Sequence, residues 1–309
     1  MSVFTPVSRE TLEPWLAAHG IRELRRFDGI SGGTINTNYW LETEAGDWIL
    51  TLVEDRSAAA VAPVMALMQA LSEASLPVPG VRPDREGNLV GRLQNRPATL
   101  VQALPGRHPA PEPSACAEVG RFLARLHRQS PRLPPLPLNF GPQWQQACAE
   151  RWIERLPAEE AALMRRTLAS IGPLWRQEWP EAWVHADLFP DNVLATDDRF
   201  TAVIDWYFAS RGPRIWDLAI ALNAWCGAAD PGINPSAAAL LEGYESVQAL
   251  APAEREGLPA MRRSAALRFW LSRLEAAERH AELDPAHAVT IKPPAEYCEL
   301  LLELEQMQH

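Results

Sequence analysis

Val184-His185-Ala186-Asp187-Leu188-Phe189-Pro190-Asp191-Asn192, followed by Val203-Ile204-Asp205-Trp206, is the stretch on which the reading of this chain turns. Asp187 and Asn192 stand five residues apart, and Asp205 comes thirteen after Asn192 across a short apolar run. Thirteen residues are enough for a hairpin. A tight loop presents Asp187, the chain enters a strand at Val193-Leu194, and a partner strand at Thr201-Ala202-Val203-Ile204 returns Asp205 to the same mouth. Three oxygen-bearing side chains then converge on one small site, as a hard divalent cation requires. The competing reading is an exposed turn, since Asp and Asn favour turns by hydrogen bonding to their own backbone. A turn has no need of an apolar strand ending in Asp at hairpin distance, and the site reading prevails.

At 309 residues the chain exceeds one simple core and suits two lobes. Its 47% hydrophobic and 22% charged residues are ordinary for a globular protein, which argues against disorder. A net charge of −10 argues against nucleic acid or an anionic membrane as partner. The first twenty residues include Arg9, Glu10 and Glu13 and hold no apolar run of signal-peptide length. The longest mostly apolar stretch, 58–71, is interrupted by Pro63 and Gln69 and is too short to span a bilayer. Cys116, Cys148, Cys226 and Cys298 stand far apart, which fits free thiols in a reducing cytoplasm and no disulfide or zinc framework. The seven histidines show no metal-ligand spacing.

Along the chain, a helix is expected from an N-cap at Ser8 to His19, stopped by Gly20. Strand-like runs follow at 23–30, 37–43 and 48–53, with turn residues between them. Residues 58–74 read as a helix with Val61, Val64, Met65, Met68 and Leu71 on one face. Two more strands fit 89–93 and 98–104. The proline-dense stretch 105–113 then marks a boundary, giving an N-terminal lobe, 1–104, and a C-terminal lobe, 105–309. The second lobe reads as helical at 114–129, 145–155, 158–178, 213–226, 235–246, 252–283 and 295–307. The fold class expected is α+β, a small β-rich lobe followed by a larger helical one.

This order, and the interval from Asp187 to Asn192, match protein kinases, whose H-R-D-x-x-x-x-N loop supplies a carboxylate for the acceptor hydroxyl and an Asn for Mg²⁺. Val184 to Phe189, Asp191-Asn192-Val193, Ile204 to Ala209 and Asp217-Leu218-Ala219-Ile220 resemble the aminoglycoside-phosphotransferase and choline-kinase-like group of small-molecule kinases. Stretches outside that core narrow the likeness. Residues 1–7, Trp48 to Glu54, Leu222 to Cys226, Leu241 to Tyr244 and Leu267 to Leu274 resemble the bacterial homoserine kinases of this fold, and the resemblance runs to Tyr297. It implies a two-lobed kinase-like fold that uses ATP and Mg²⁺ to phosphorylate the hydroxyl of L-homoserine, a step toward threonine.

The residues then take roles. Asp187 is the candidate base, which orients the acceptor hydroxyl and takes its proton late. Asn192 and Asp205 are the candidate metal ligands, because Mg²⁺ prefers one or two protein oxygens together with phosphate and water. His185 is read as a tie within its loop, and Asp191 and Asp197 as solvated turn carboxylates. Asp217, by resemblance, braces the loop by accepting backbone N–H groups. Gly29, Ser31, Gly32 and Gly33 lie between the first two strands, where close backbone approach lets N–H groups meet phosphate. Thr51, Gln102 and Leu104 complete the nucleotide-binding set.

Thr51 marks a departure from protein kinases, which place a lysine on the third strand to hold the phosphates. The chain has a single lysine, Lys292, near its C-terminus, so an arginine such as Arg56 is left to supply the charge. The homoserine kinase pattern also carries Thr at this strand position, so the missing lysine does not imply a dead enzyme.

Homoserine is a zwitterion, and its carboxylate needs a paired donor when desolvated. Arg268 and Arg273 are the candidates, with Asp187, Tyr207, Asn223 and Trp225 as further pocket residues. Trp270 is assigned to the core. Three alternatives stay open at this point: a kinase for choline or ethanolamine, one for an aminoglycoside or methylthio-sugar, and a pseudokinase that binds nucleotide without turnover. The expected partners are ATP and a small hydroxylated amino acid, in a monomer or homodimer.

Overall fold

The computed structural model describes residues 5–30, 36–129, 132–197, 199–281 and 292–307. The first elements are α1 (Arg9–Ala18), β1 (Leu24–Gly29), β2 (Thr37–Thr43), β3 (Gly46–Leu52), α2 (Ala58–Glu73), β4 (Gly91–Leu93) and β5 (Arg96–Gln102). Their strands form one antiparallel sheet in the order β1-β2-β3-β5-β4. On β2, Thr37, Tyr39, Leu41 and Thr43 are buried while their neighbours are half-buried or exposed, the period of two that seats one face on a core. That face meets α1, whose Leu12 and Leu16 join Leu41, Leu50 and Leu100 in a small cluster. The Ser8 side chain caps α1 by accepting from the Thr11 N–H, as its sequence position predicts.

Beyond β5 come α3 (Pro113–Arg128), α4 (Pro142–Ile153), α5 (Ala158–Ile171), β6 (Glu181–Val184), β7 (Val193–Thr196), β8 (Arg199–Val203), β9 (Ser210–Pro213), α6 (Arg214–Cys226), α7 (Pro235–Glu245), α8 (Pro252–Ala281) and α9 (Ala295–Gln306). A small β-rich part and a larger helical part follow one another, as the sequence predicts. The α5 helix stops earlier than expected, because Gly172-Pro173 intervene and proline cannot continue the hydrogen-bond ladder; a short 3₁₀ turn, Leu174–Arg176, follows. The β6–β9 ladder, four residues a side, was not anticipated. It clamps the two ends of the segment that carries the site.

The larger core contains the helical part and also takes in α2 through Val61, Val64 and Leu71. Trp206, Trp216 and Trp270 are among its largest fully buried side chains. In its middle, α3 and α7 lie backbone against backbone. A Cβ added at Gly120 would stand 2.0 Å from the Leu240 carbonyl oxygen, and one at Gly243 would stand 2.2 Å from that of Ala117. Only glycine permits this approach.

Candidate active site

The loop between β6 and β7 holds Asp187, and it is stitched down from several sides. His185 is fully buried. Its Nε2 donates to the Ile204 carbonyl at 2.9 Å and its Nδ1 accepts from the Asp187 N–H at 3.2 Å, which fixes the tautomer. Burial lowers the His185 pKa from its usual value, against the opposing pull of Asp217 and Asp187. Ala186 takes a left-handed φ of 62°, a conformation that costs a non-glycine residue about 1–2 kcal/mol. The buried Asp217 carboxylate holds it there: Oδ2 accepts from the His185 N–H and Oδ1 from the Ala186 N–H, both at 2.7 Å. The bracing role implied for Asp217 by resemblance is thus present in the geometry.

Sequence reasoning missed what stands behind Asp217. His127 on α3 places Nε2 3.3 Å from Asp217 Oδ2, and its Nδ1 meets the Tyr244 hydroxyl of α7 at 2.9 Å. The close α3–α7 contact brings these two rings together. No local signal marks them, since His127 and Asp217 are 90 positions apart.

The structure brings Asp187, Asn192 and Asp205 to one mouth by the expected hairpin, β7 pairing with β8 in antiparallel register from Val193↔Val203. Asn192 Nδ2 donates to the Asp187 carbonyl at 2.8 Å and to its Oδ2 at 3.1 Å, leaving Oδ1 of Asn192 as the oxygen it has to offer a cation. Asp205 adopts a left-handed backbone (φ 60°), and it keeps surface open to solvent although protein packs densely around its carboxyl. Loss of bulk water there pushes the Asp205 carboxyl up to about 7. The Asp187 charge adds to this, while the Tyr207 N–H and Arg56 act the other way. An amide oxygen and a carboxylate raised by desolvation and a neighbouring negative charge fit a hard divalent cation. Among the described residues, no cluster of three His, Cys, Asp or Glu side chains competes for such an ion.

The predicted substrate residues separate into two groups. Arg268 is buried, with Nη1 3.4 Å from Asp187 Oδ1 and its guanidinium 4.6, 5.2 and 3.7 Å from the ring centroids of Phe140, Phe208 and Phe269. Its Nε has no partner among the described residues. Arg273 instead pairs with Glu296 at 2.5 Å and donates to the Pro293 carbonyl at 2.9 Å. Arg273, Asn223, Asp191 and Lys292 line a groove of about 650 Å³ beside the loop. The Asn223 amide is spent on Arg262 of α8, and Trp225 Nε1 donates to the Leu188 carbonyl at 3.0 Å, so Trp225 supports the loop from behind. Asp191, read as a solvated turn carboxylate, pairs with Lys292 at 2.7 Å while staying half exposed.

On the sheet side, Gly29 ends β1 opposite Tyr39; Ser31, Gly32 and Gly33 lie outside the described residues. Gln102 closes β5, its N–H donating to the Gly80 carbonyl at 2.9 Å, and Leu104 follows where the chain passes toward α3. Thr51, on β3, donates to Asn38 Oδ1 at 2.7 Å. The Tyr207 phenol, which follows Asp205, reaches up to the hydroxyls of Thr99 and Thr51; burial raises its pKa to about 12, with the Thr99 hydrogen bond opposing.

Comparison with known proteins fits this geometry. The sequence model of the phosphotransferase enzyme family (APH) matches residues 26–254. The homoserine kinase of Pseudomonas aeruginosa (strain UCBPP-PA14) is 40% identical over 302 residues, covering 96% of this chain and 94% of its own. That of Parvibaculum lavamentivorans is 38% identical over 306 residues, covering 96% and 94%. Among solved structures, the amicoumacin kinase hAmiN in complex with AMP-PNP, Ca²⁺ and Ami superimposes with a TM-score of 0.72 over 97% of this chain and 94% of that one. At 15% identity that likeness speaks for the fold alone. With kinase-like architecture, the Asp187–Asn192–Asp205 mouth and 38–40% identity to homoserine kinases over nearly its whole length, this chain belongs to the APH phosphotransferase enzyme family, on its homoserine kinase branch.

Proposed function

We propose that the protein transfers the γ-phosphoryl group of ATP to the side-chain hydroxyl of L-homoserine, forming O-phospho-L-homoserine and ADP. The observation that carries this is the 40% identity to a homoserine kinase across 96% of the chain, joined to Asp187, Asn192 and Asp205 in one mouth. Asp187 receives the acceptor hydroxyl and takes its proton as the new bond to phosphorus forms. Mg²⁺ held by Asn192 and Asp205 would neutralise charge on the phosphate oxygens. Residues 1–104 supply the nucleotide side of the cleft, and 105–309 the loop and acceptor pocket. No described helix is long and apolar enough to cross a membrane. The four cysteines are free thiols, although the fold brings Cys116 and Cys226, far apart in sequence, within hydrogen-bond reach of each other; free thiols favour work in the cytoplasm on small molecules.

Arg268 is the better reader of the homoserine carboxylate. A hydroxyl resting on Asp187 leaves the carboxylate a few ångströms away, and the guanidinium 3.4 Å from that aspartate is within reach. Arg273 is already committed to Glu296 and Pro293. The aromatic box beside Asp187 also speaks against choline, because a guanidinium already fills the place a quaternary amine would take.

An ADP-release assay over homoserine, choline, ethanolamine, an aminoglycoside and a methylthio-sugar tests the assignment. Homoserine should give the highest kcat/KM; preference for another acceptor, or no turnover of any, refutes it. Arg268→Ala should lose roughly 10- to 150-fold in kcat/KM for homoserine, the range for a charge-assisted contact. A simple amino alcohol lacking the carboxylate should be a poor substrate for the parent and lose much less. Equal losses for both acceptors would show that Arg268 acts only on Asp187.

A further inference from the structure

A kinase fold without its third-strand lysine must neutralise the nucleotide phosphates by other means. Thr51, at the lysine position, offers no charge, and its hydroxyl is engaged with Asn38. Lys292 is paired with Asp191 and lies 5.1 Å from the Phe189 ring, on the acceptor side of the loop. Arg268 is buried against Asp187. Arg56, in the short link between β3 and α2, is an arginine that reaches the segment after Asp205.

Its placement is specific. Arg56 Nη1 donates to the Tyr207 carbonyl at 2.6 Å, two residues past Asp205, and its guanidinium stands 5.7 and 5.5 Å from the rings of Tyr207 and Phe208. The nearest carboxylate on its own link, Asp55, is 4.0 Å from Nε, too far for a hydrogen bond. One donor of five is therefore spent on an anchor, the side chain stays a quarter exposed, and its charge is close enough to act on the Asp205 carboxyl. A guanidinium held in this way has already lost much of its rotamer freedom, so its remaining N–H groups meet an anion at little further entropic cost.

We propose that Arg56 is the phosphate-holding cation of this enzyme, contacting the non-bridging oxygens of the ATP phosphate chain from its seat on the Tyr207 carbonyl. A guanidinium crossing from the sheet side to the segment after Asp205 thereby does the work of the strand lysine. Its planar fork suits two phosphate oxygens at once, which a lysine point charge does not match. The inference rests on the ATP-dependent reading above, and its test does not need homoserine turnover.

Arg56→Gln keeps a donor for the Tyr207 carbonyl while removing the charge, and is the principal variant; Arg56→Lys keeps the charge without the fork. Calorimetric titration with ATP, ADP and adenosine, each with the folded parent and variants, separates phosphate contact from support of the cleft. The expected result is at least about a tenfold weakening of ATP and ADP by Arg56→Gln, the size of a lost charge-assisted contact. Adenosine binding should stay within about twofold, and Arg56→Lys should lie between the two. With homoserine turnover as second readout, KM for ATP should rise while KM for homoserine stays put. Equal weakening of adenosine and ATP would overturn the proposal in favour of a purely structural Arg56. Unchanged ATP binding would overturn it outright. A parent that binds ATP but ignores homoserine would refute the acceptor assignment and leave the Arg56 test intact.

Discussion

At the scale of single residues, the site relies on carboxylates whose surroundings give each a different task. Asp187 sits against Arg268 and Asn192, Asp205 is raised by loss of water and by the Asp187 charge, and Asp217 is consumed by backbone N–H groups. Asp187→Asn preserves shape and hydrogen bonding but removes the proton acceptor. We expect kcat to fall by at least about 10²-fold with ATP affinity little changed, checked by single-turnover kinetics and nucleotide titration. His185 makes the site sensitive to acid. Burial depresses its folded pKa below the usual 6.5, so below that pH the unfolded chain binds the proton more readily. Stability is therefore whole above about pH 6.5 and declines as pH falls toward the folded pKa, by up to about 1.4 kcal/mol per pH unit from this group. Urea midpoints compared at pH 7.5 and 5.5 for parent and His185→Gln check this; a variant with the same slope as the parent would acquit His185. Protonation also cancels the Nδ1 acceptor of the Asp187 N–H, so activity should fall with the same trend.

Among elements, α3 and α7 are expected to bear on catalysis through the side chains they set behind Asp217. Gly120 and Gly243 let the helices touch, and that contact sets His127 against Tyr244 and Asp217. Gly120→Ala drives a methyl into the Leu240 carbonyl, a backbone atom that cannot rotate aside. The expected loss is about 1–3 kcal/mol or more, read from chemical unfolding, with a fall in kcat larger than any change in KM for ATP. A variant of full stability would mean that the helices part without strain. The same elements show the limits of the sequence. The Asp187–Asp205 hairpin was legible because its residues are close in the chain and its spacing has a geometric reason. The His127–Asp217–Tyr244 chain was not, because a glycine contact between two amphipathic helices leaves no periodic signal. The end of α5 was misplaced because its apolar period runs on past Gly172-Pro173, and β6 and β9 are too short to show a period.

For the whole molecule, the order of a β-rich part before a helical one was legible from turn spacing and helical period, and the family from stretches scattered along the chain. The division of the core was less so, since α2 joins the larger cluster although it lies among the sheet strands in sequence. A ligand seated between the two parts should stabilise both. At a hundred times its Kd, Mg·ATP should add about 2.7 kcal/mol, a rise in Tm of a few degrees for a protein of this size. Asp205→Ala should abolish turnover and the part of that rise that depends on Mg²⁺, while the ligand-free Tm stays near the parent's. An unchanged Mg²⁺ increment would remove Asp205 from the metal site. The lone lysine has a practical consequence of its own. With Lys292 resting on Asp191 at the rim of the mouth, one side-chain amine in the sequence is open to acylation. Apart from the chain's α-amine, an amine-reactive fluorophore therefore attaches at one position, beside the catalytic loop, where acceptor binding is expected to change its emission.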